Sequence, residues 1–208
     1  MAIKAVIFDI GGVIVDADLE RYASMAARLF QGQEADVRLA VQQRLAGLET
    51  GKIDSATFWK EVGESLWSQG KGKPAEVTQT QGLWRRVLAD TMKINLQMLN
   101  LCWSLHRKGV IVAALSNTIR EHAEHLVQVG AYQPFHPCVL SCEVGLRKPD
   151  KAIYQLTAKK AGKATKECLF VDDSLANVEG ARAAGMAVHH FTGLQPLIQE
   201  LGKHKLFG

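Results

Sequence analysis

The sequence predicts an α/β fold: a parallel sheet with helices on both faces, interrupted by an inserted helical block. Three observations lead there. Short apolar runs recur at 5–8, 110–115, 138–141, 168–171 and 186–191. Helix-like segments at 120–129, 150–161 and 175–184 separate the later runs, and such alternation argues for parallel strands joined by crossover helices. Between the first two runs, residues 17–90 read helical through most of their length and break the alternation.

The first run, Val6-Ile7-Phe8, ends on a carboxylate, Asp9, and the glycines Gly11 and Gly12 follow. A buried strand here delivers a lone charge to its carboxyl end, beside chain thin enough for a ligand to approach the backbone. Such a charge is costly without a cation or polar partners. In the inserted block, Asp54 has the place of a helix N-cap, and the polar stretch 68–82 reads as an exposed connection. The second run leads into Leu115-Ser116-Asn117-Thr118, and Thr118 to Glu121 match a capping box. Arg147-Lys148-Pro149-Asp150 places a lysine before a helix with Pro149 in its first turn. The run at 168–171 ends on Asp172-Asp173, and Gly162 and Gly185 fit helix ends. The expected division is a core of 1–16 and 91–208 and a helical insertion of 17–90.

A chain of 208 residues with 47% hydrophobic content suffices for one sizeable domain with an insertion. The net charge of +4 is scattered, without a basic run or interleaved aromatics, so no nucleic-acid surface is expected. A mildly basic balance suits small anionic substrates. Cys102, Cys138, Cys142 and Cys168 complete no zinc set and read as reduced thiols. The seven histidines form no metal-ligand spacing, His189-His190 reads as structural, and the four tryptophans as core or interface residues. No apolar stretch is long enough to span a bilayer and no signal peptide is recognised, so the expected location is the cytoplasm. Oligomeric state is not legible.

In a sheet of this type ligands bind beyond the carboxyl ends of the strands. Asp9, Ser116 and Asp172-Asp173 all follow apolar runs, and a loop can bring Lys148 to the same rim. The set suits magnesium-assisted phosphoryl transfer. Asp9 is the candidate nucleophile, forming an acyl phosphate. Asp9, Asp173, the carbonyl of Gly11 and Asp172, as ligand or just behind one, are the candidate magnesium oxygens. Ser116 and Asn117 are candidate phosphate donors at a helix entrance, and Lys148 offsets charge on the phosphoryl group and on Asp9. Each residue alone has an ordinary reading as a turn, a cap or a solvated charge. Their order and placement weigh against four coincidences.

These motifs resemble the haloacid dehalogenase superfamily of hydrolases. Phe8 to Val13 resembles its first motif, Leu115 to Thr118 its second, Gly145 to Asp150 its third, and Phe170 to Met186 its fourth. The resemblance covers essentially the whole chain, and Leu48 to Trp59 is similar to the helical cap of one branch. It implies a Rossmann-like core with a cap, and magnesium-dependent hydrolysis of a small phosphorylated metabolite. One departure stands out. The family's phosphatases usually carry a second aspartate two residues after the nucleophile, as general acid and base, and here that position is Gly11. A subset with Asp-x-Gly-x-Val resembles sugar-phosphate phosphatases. Asp16 or Asp18 could approach the site as a substitute, or stand as solvated linker residues. The alternatives are a 2-haloacid dehalogenase and a catalytically weak phosphate-binding or regulatory protein.

Overall fold

The computed structural model describes residues 2–18 and 20–207, apart from the side chain of Val77. In chain order the elements are β1 (Ala5–Phe8), β2 (Val15–Asp16), α1 (Arg21–Phe30), α2 (Glu34–Gln42), α3 (Leu45–Glu49), α4 (Ser55–Ser68), α5 (Val77–Thr80), α6 (Leu83–Thr91) and β3 (Lys93–Ile94). There follow α7 (Leu96–Arg107), β4 (Ile111–Ser116), α8 (Arg120–Gln128), β5 (Cys138–Leu140), α9 (Ser141–Val144) and α10 (Lys151–Lys160). The chain closes with β6 (Cys168–Asp172), α11 (Leu175–Ala183), β7 (Ala187–His190) and α12 (Leu194–Lys203). Each expected strand lies within about two residues of its apolar run.

Five strands form one parallel sheet in the order β5-β4-β1-β6-β7. The chain departs from central β1 toward β4 and β5 on one side and reaches β6 and β7 on the other. The carboxyl end of β1 is therefore the switch point at which open α/β sheets bind ligands. Side chains alternate across the sheet. Val6 and Phe8 join a core with Met98 and Leu105 of α7 and Leu197 of α12. Ala5 and Ile7 join the opposite core with Ile153 and Tyr154 of α10 and Ala181 of α11. Burial on both faces is why the strands read as unbroken apolar runs.

Helices α1 to α4 and α6 share a separate core built on Phe30, Phe58, Trp59 and Trp84. The Trp59 and Trp84 rings stack with centroids 5.0 Å apart, whereas Trp67 and Trp103 are exposed. The chain enters and leaves this body through an antiparallel ribbon that pairs Val15 with Ile94 and Asp16 with Lys93. Asp54 caps α4 by accepting the Thr57 N–H at 2.7 Å. The polar stretch after α4 is largely exposed but held: the Lys73 N–H donates to the Phe30 carbonyl, and Lys71 pairs with Asp36.

Two helix starts differ from expectation. Ile119 is the N-cap of α8 and no side chain caps the helix; Thr118 is buried, and its N–H donates to Ser141 Oγ at 2.9 Å. The capping-box pattern fails because the partner of Thr118 comes from α9, through tertiary structure. Helix α10 begins at Lys151 with Asp150 as N-cap, so Pro149 precedes the cap. Gly162 and Gly185 lie just past α10 and α11, as expected. All four cysteines are free thiols, and burial raises the pKa of each. Among the described residues no helix is long and apolar enough to cross a membrane.

Candidate active site

Strands β1, β4 and β6 are neighbours, so Asp9, Ser116 and Asp172-Asp173 emerge at one edge. Lys148 arrives from the loop before α10, and its side chain is 1% exposed. Its Nζ stands 2.8 Å from Asp9 Oδ1 and 2.7 Å from Asp172 Oδ2. Asp172 also accepts the Ser174 N–H at 2.8 Å and Asn177 Nδ2 at 3.1 Å from each oxygen. Asp9 Oδ1 also accepts the Ile10 N–H at 2.6 Å, which leaves Oδ2 without a partner among the described residues.

One lysine between two carboxylates leaves the buried cluster one negative charge in excess. Burial alone would lower the lysine pKa, but Asp9 and Asp172 outweigh it and hold the ammonium charged. Asp9 is pushed up to about 7, first by burial and then by Asp172, against the pull of Lys148. The two shifts agree once the charges are counted: the lysine is over-supplied with anions and Asp9 is short of cations. Asp173 is also raised, by burial and by Asp172. Oxygens of Asp9, Asp172 and Asp173 lie within 4.8 Å of one another, the donor type that a hard divalent cation takes.

The surroundings fix this cluster. The Asn117 side chain donates to the Lys148 carbonyl at 2.9 Å and accepts the Lys148 N–H at 2.8 Å. Both ends of the amide are thus engaged, and Asn117 clamps the lysine loop where the sequence reading has a free phosphate donor. Ser116 Oγ has only a 3.5 Å contact with the Asn117 carbonyl and faces the cleft. Ser141 both donates to and accepts from the Thr118 backbone and so holds the β4–α8 turn. The Tyr154 hydroxyl donates to the Asn177 carbonyl at 2.8 Å. A Cβ on Gly180 would stand 2.7 Å from the Pro149 carbonyl oxygen, so α11 rests directly on the lysine loop. His190 Nε2 lies 2.9 Å from the Asp173 carbonyl, a structural contact at the end of β7.

The two glycines after Asp9 differ. Gly12 has φ +70°, and a Cβ there would overlap the Asp173 carboxylate. Gly11 is outside the left-handed region, and a Cβ there meets nothing within 4 Å. Gly11, Gly12, Ser116, Asn117 and Asp173 line a cleft of about 370 Å³, and Asp16 lines it too, whereas Asp18 does not.

The sequence profile of the haloacid dehalogenase-like hydrolases matches residues 3–185. The chain belongs to this family. Among its haloacid dehalogenase-like relatives, a D-ribitol-5-phosphate phosphatase from Bacteroides thetaiotaomicron is 28% identical over 193 residues, 88% of this chain and 89% of that protein. A crystal structure of a HAD family enzyme from the same organism superposes with TM-score 0.76 at 26% identity, covering 94% of this chain and 97% of that one. A complex of that enzyme with magnesium and inorganic phosphate superposes at 0.68, with 26% identity and 90% and 93% coverage.

Sequence reasoning missed three residues of this site. Asn177 and Ser141 act on backbone or on buried oxygens, and no local pattern names such partners. His122 lines the cleft from α8, where only the fold brings it.

Two outcomes follow from this geometry. The folded, metal-free protein keeps the Asp9 proton up to about pH 7, whereas the unfolded chain releases it near 3.8. The stability tied to that proton is full below pH 3.8 and is lost as pH rises through about 7. Asp9→Asn cannot titrate, and Asp172 remains as partner to Lys148. In chelator, its melting temperature relative to wild type should therefore be higher at pH 8 than at pH 5, by about 2–4 °C per kcal/mol. An unchanged difference would mean that Asp9 is already satisfied. Second, Gly12→Ala should lower the melting temperature by several degrees, from about 1–2 kcal/mol of backbone strain plus displacement of Asp173. Gly11→Ala should stay within about 1 °C of wild type. Thermal melts of both variants side by side check this.

Proposed function

We propose that the chain hydrolyses small phosphate monoesters, sugar or polyol phosphates among them, with magnesium and through a phosphoryl group carried on Asp9. The observation that carries this reading is the lysine buried between Asp9 and Asp172, with Asp173 alongside, in a cluster short of positive charge. The magnesium and phosphate bound by the Bacteroides thetaiotaomicron enzyme, and the ribitol phosphatase relative, support it. Four free thiols support a reducing, cytoplasmic setting.

Asp9 and Asp173 would hold the magnesium, with the carbonyl of Gly11 as a further oxygen. The oxygens of Asp172 are already filled by Lys148, Ser174 and Asn177, so Asp172 serves by fixing the lysine. Bound magnesium would neutralise charge between the nucleophilic carboxylate and the phosphate. Oδ2 of Asp9, the oxygen free of protein donors among the described residues, attacks phosphorus as the alcohol departs, and water then releases phosphate from the aspartyl phosphate. Lys148 offsets charge on Asp9 throughout. Ser116 Oγ and the free N–H groups at the start of α8 donate to phosphate oxygens.

Gly11 has no proton to give the departing alcohol. Asp16 lines the same cleft, and we assign it that role. Helices α1 to α6 act as a cap spanning 17–90 on a core of 1–16 and 91–208, because Leu88 of α6 lines the cleft together with Ser116. The dehalogenase alternative is weaker: no Arg or Lys lines this cleft among the described residues to receive the carboxylate of a 2-haloacid.

A panel of phosphorylated metabolites, with and without magnesium and with chloride release measured in parallel, tests the reading. Magnesium-dependent phosphate release that Asp9→Asn abolishes is the expected result; chloride release from 2-haloacids without phosphate release overturns it. Within that assay, Asp173→Asn should raise the half-saturating magnesium concentration at least tenfold. Asp172→Asn should mainly lower kcat, because it disturbs Lys148. The reverse pattern would exchange the two roles. Gly11→Asp has room for its Cβ. General acid help is worth about 10²–10⁴-fold for a poor leaving group and little for an aryl ester. Gly11→Asp should therefore raise the ratio of sugar-phosphate to p-nitrophenyl phosphate turnover, and Asp16→Asn should lower it. If Asp16→Asn leaves the ratio unchanged, the proton comes from water.

A further inference from the structure

Beyond its phosphate end the cleft is lined by Val15, Asp16, Ala17, Leu88, His122 and Leu126. Four are apolar, one is an exposed carboxylate, and one is a buried imidazole. His122 Nε2 lies 3.2 Å from the Trp84 carbonyl oxygen. A carbonyl oxygen only accepts, so Nε2 carries the hydrogen, and in the neutral ring Nδ1 is left with a lone pair. Burial keeps the ring neutral, lowering its pKa to about 4 against the opposing pull of the Trp84 carbonyl. Nδ1 has no partner among the described residues. The imidazole is held from two directions. Its Cα belongs to α8, while the Trp84 carbonyl fixes its far nitrogen, and the Trp84 ring meets it edge-on at 5.9 Å. Turning the ring would break the Nε2 bond. The result is a fixed acceptor beside the apolar side chains of the cleft; it is not among the buried atoms without a partner, so water can reach it, and a bound group that excludes that water without offering a donor is penalised.

We propose that His122 is a specificity-determining residue that accepts a hydrogen bond from a hydroxyl of an uncharged leaving group. The proposal rests on the phosphatase reading above and adds the class of alcohol. A polyol or sugar hydroxyl supplies the missing donor. A carboxylate or second phosphate on the leaving group supplies acceptors, faces Asp16, and finds no Lys or Arg on the wall among the described residues. A purely alkyl group fits the apolar side chains but leaves Nδ1 unpaired. A site built to bond a hydroxyl discriminates against the analogue lacking it for that reason.

The test compares wild type, His122→Phe and His122→Asn on three esters: a short polyol phosphate, the alkyl phosphate of the same chain length, and a phosphorylated hydroxy acid. Wild type should have its highest kcat/KM on the polyol ester and its lowest on the hydroxy acid. His122→Phe should lower the polyol-to-alkyl ratio about tenfold, mainly through KM. His122→Asn, which keeps an acceptor, should restore most of that ratio. A ratio is the informative quantity, because general loosening of the cleft lowers both esters together. An unchanged ratio, failure of asparagine to restore it, or a wild-type preference for the hydroxy acid overturns the proposal. If phenylalanine does not fold beside Trp84, His122→Leu serves the same comparison. Wild type inactive on every ester and on p-nitrophenyl phosphate would sink the phosphatase reading instead. Calorimetry with the matching polyol and alkyl phosphonates then still decides on His122, through the ratio of dissociation constants.

Discussion

A lysine with a 1% exposed side chain between two aspartates is the constraint around which the site is arranged. Charges that deep are tolerated only when nearly every lone pair and proton is engaged. The chain meets that demand with residues from three segments, the turn after β4, α10 and α11 with its cap. Asn117 seizes both backbone groups of Lys148, Asn177 and Ser174 fill Asp172, and Tyr154 orients Asn177. Gly180 removes the side chain that would keep α11 away from the lysine loop. Ser174 and Asn177 reach Asp172 from the turn and helix that follow it, whereas the Asn117–Lys148, Tyr154–Asn177 and Lys148–Asp172 contacts join segments distant in sequence. The sheet order that makes β4 and β6 the neighbours of β1 is therefore a precondition for the charge cluster. What the protein groups do not complete is the balance at Asp9 and Asp173. Both carboxyls are raised, so the site is built with room for one more positive charge.

The pair Gly11-Gly12 shows how one dipeptide carries two unrelated requirements. Gly12 is there for the backbone: its left-handed φ and the closeness of Asp173 exclude any side chain. Gly11 meets neither condition, so no steric need accounts for the absence of a carboxylate there. The turn geometry would accept one. That shifts the question of proton supply from the turn to the rest of the cleft, where Asp16 stands on the ribbon through which the helical body is joined.

The sheet was legible because burial on both faces makes each strand a short apolar run, and the site was legible because its charged residues sit where those runs end. Asp9, Ser116, Asp172 and Asp173 could be located for that reason alone. The sequence says that a loop can bring Lys148 to the rim, but not its complete burial, which depends on two partners at the ends of other strands. Thr118 misled for the opposite reason: a local capping pattern was matched, yet the partner of Thr118 is Ser141, on another element. His122 was silent. Its burial, its bond to Trp84 and its place on the cleft all depend on how the helical body meets α8, and no spacing within the chain records that.

The helical body is tied to the core near Lys148. Glu49 of α3 pairs with Arg147, the residue before Lys148, at 2.8 Å, and a Cβ on Gly51 would overlap the Cys142 carbonyl oxygen of α9. Burial raises the Glu49 carboxyl, and Arg147 and Lys148 offset that only in part. Across the cleft, the Trp84–His122 bond makes a second tie, from α6 to α8. The two ties bracket the substrate space from both bodies. Displacement of the helical body would remove Leu88 from the wall and free the ring of His122, while the Asp9–Lys148–Asp172 cluster, built wholly from core segments, would remain. On the proposed reading, chemistry rests with the core and recognition of the leaving group with the junction between the two bodies.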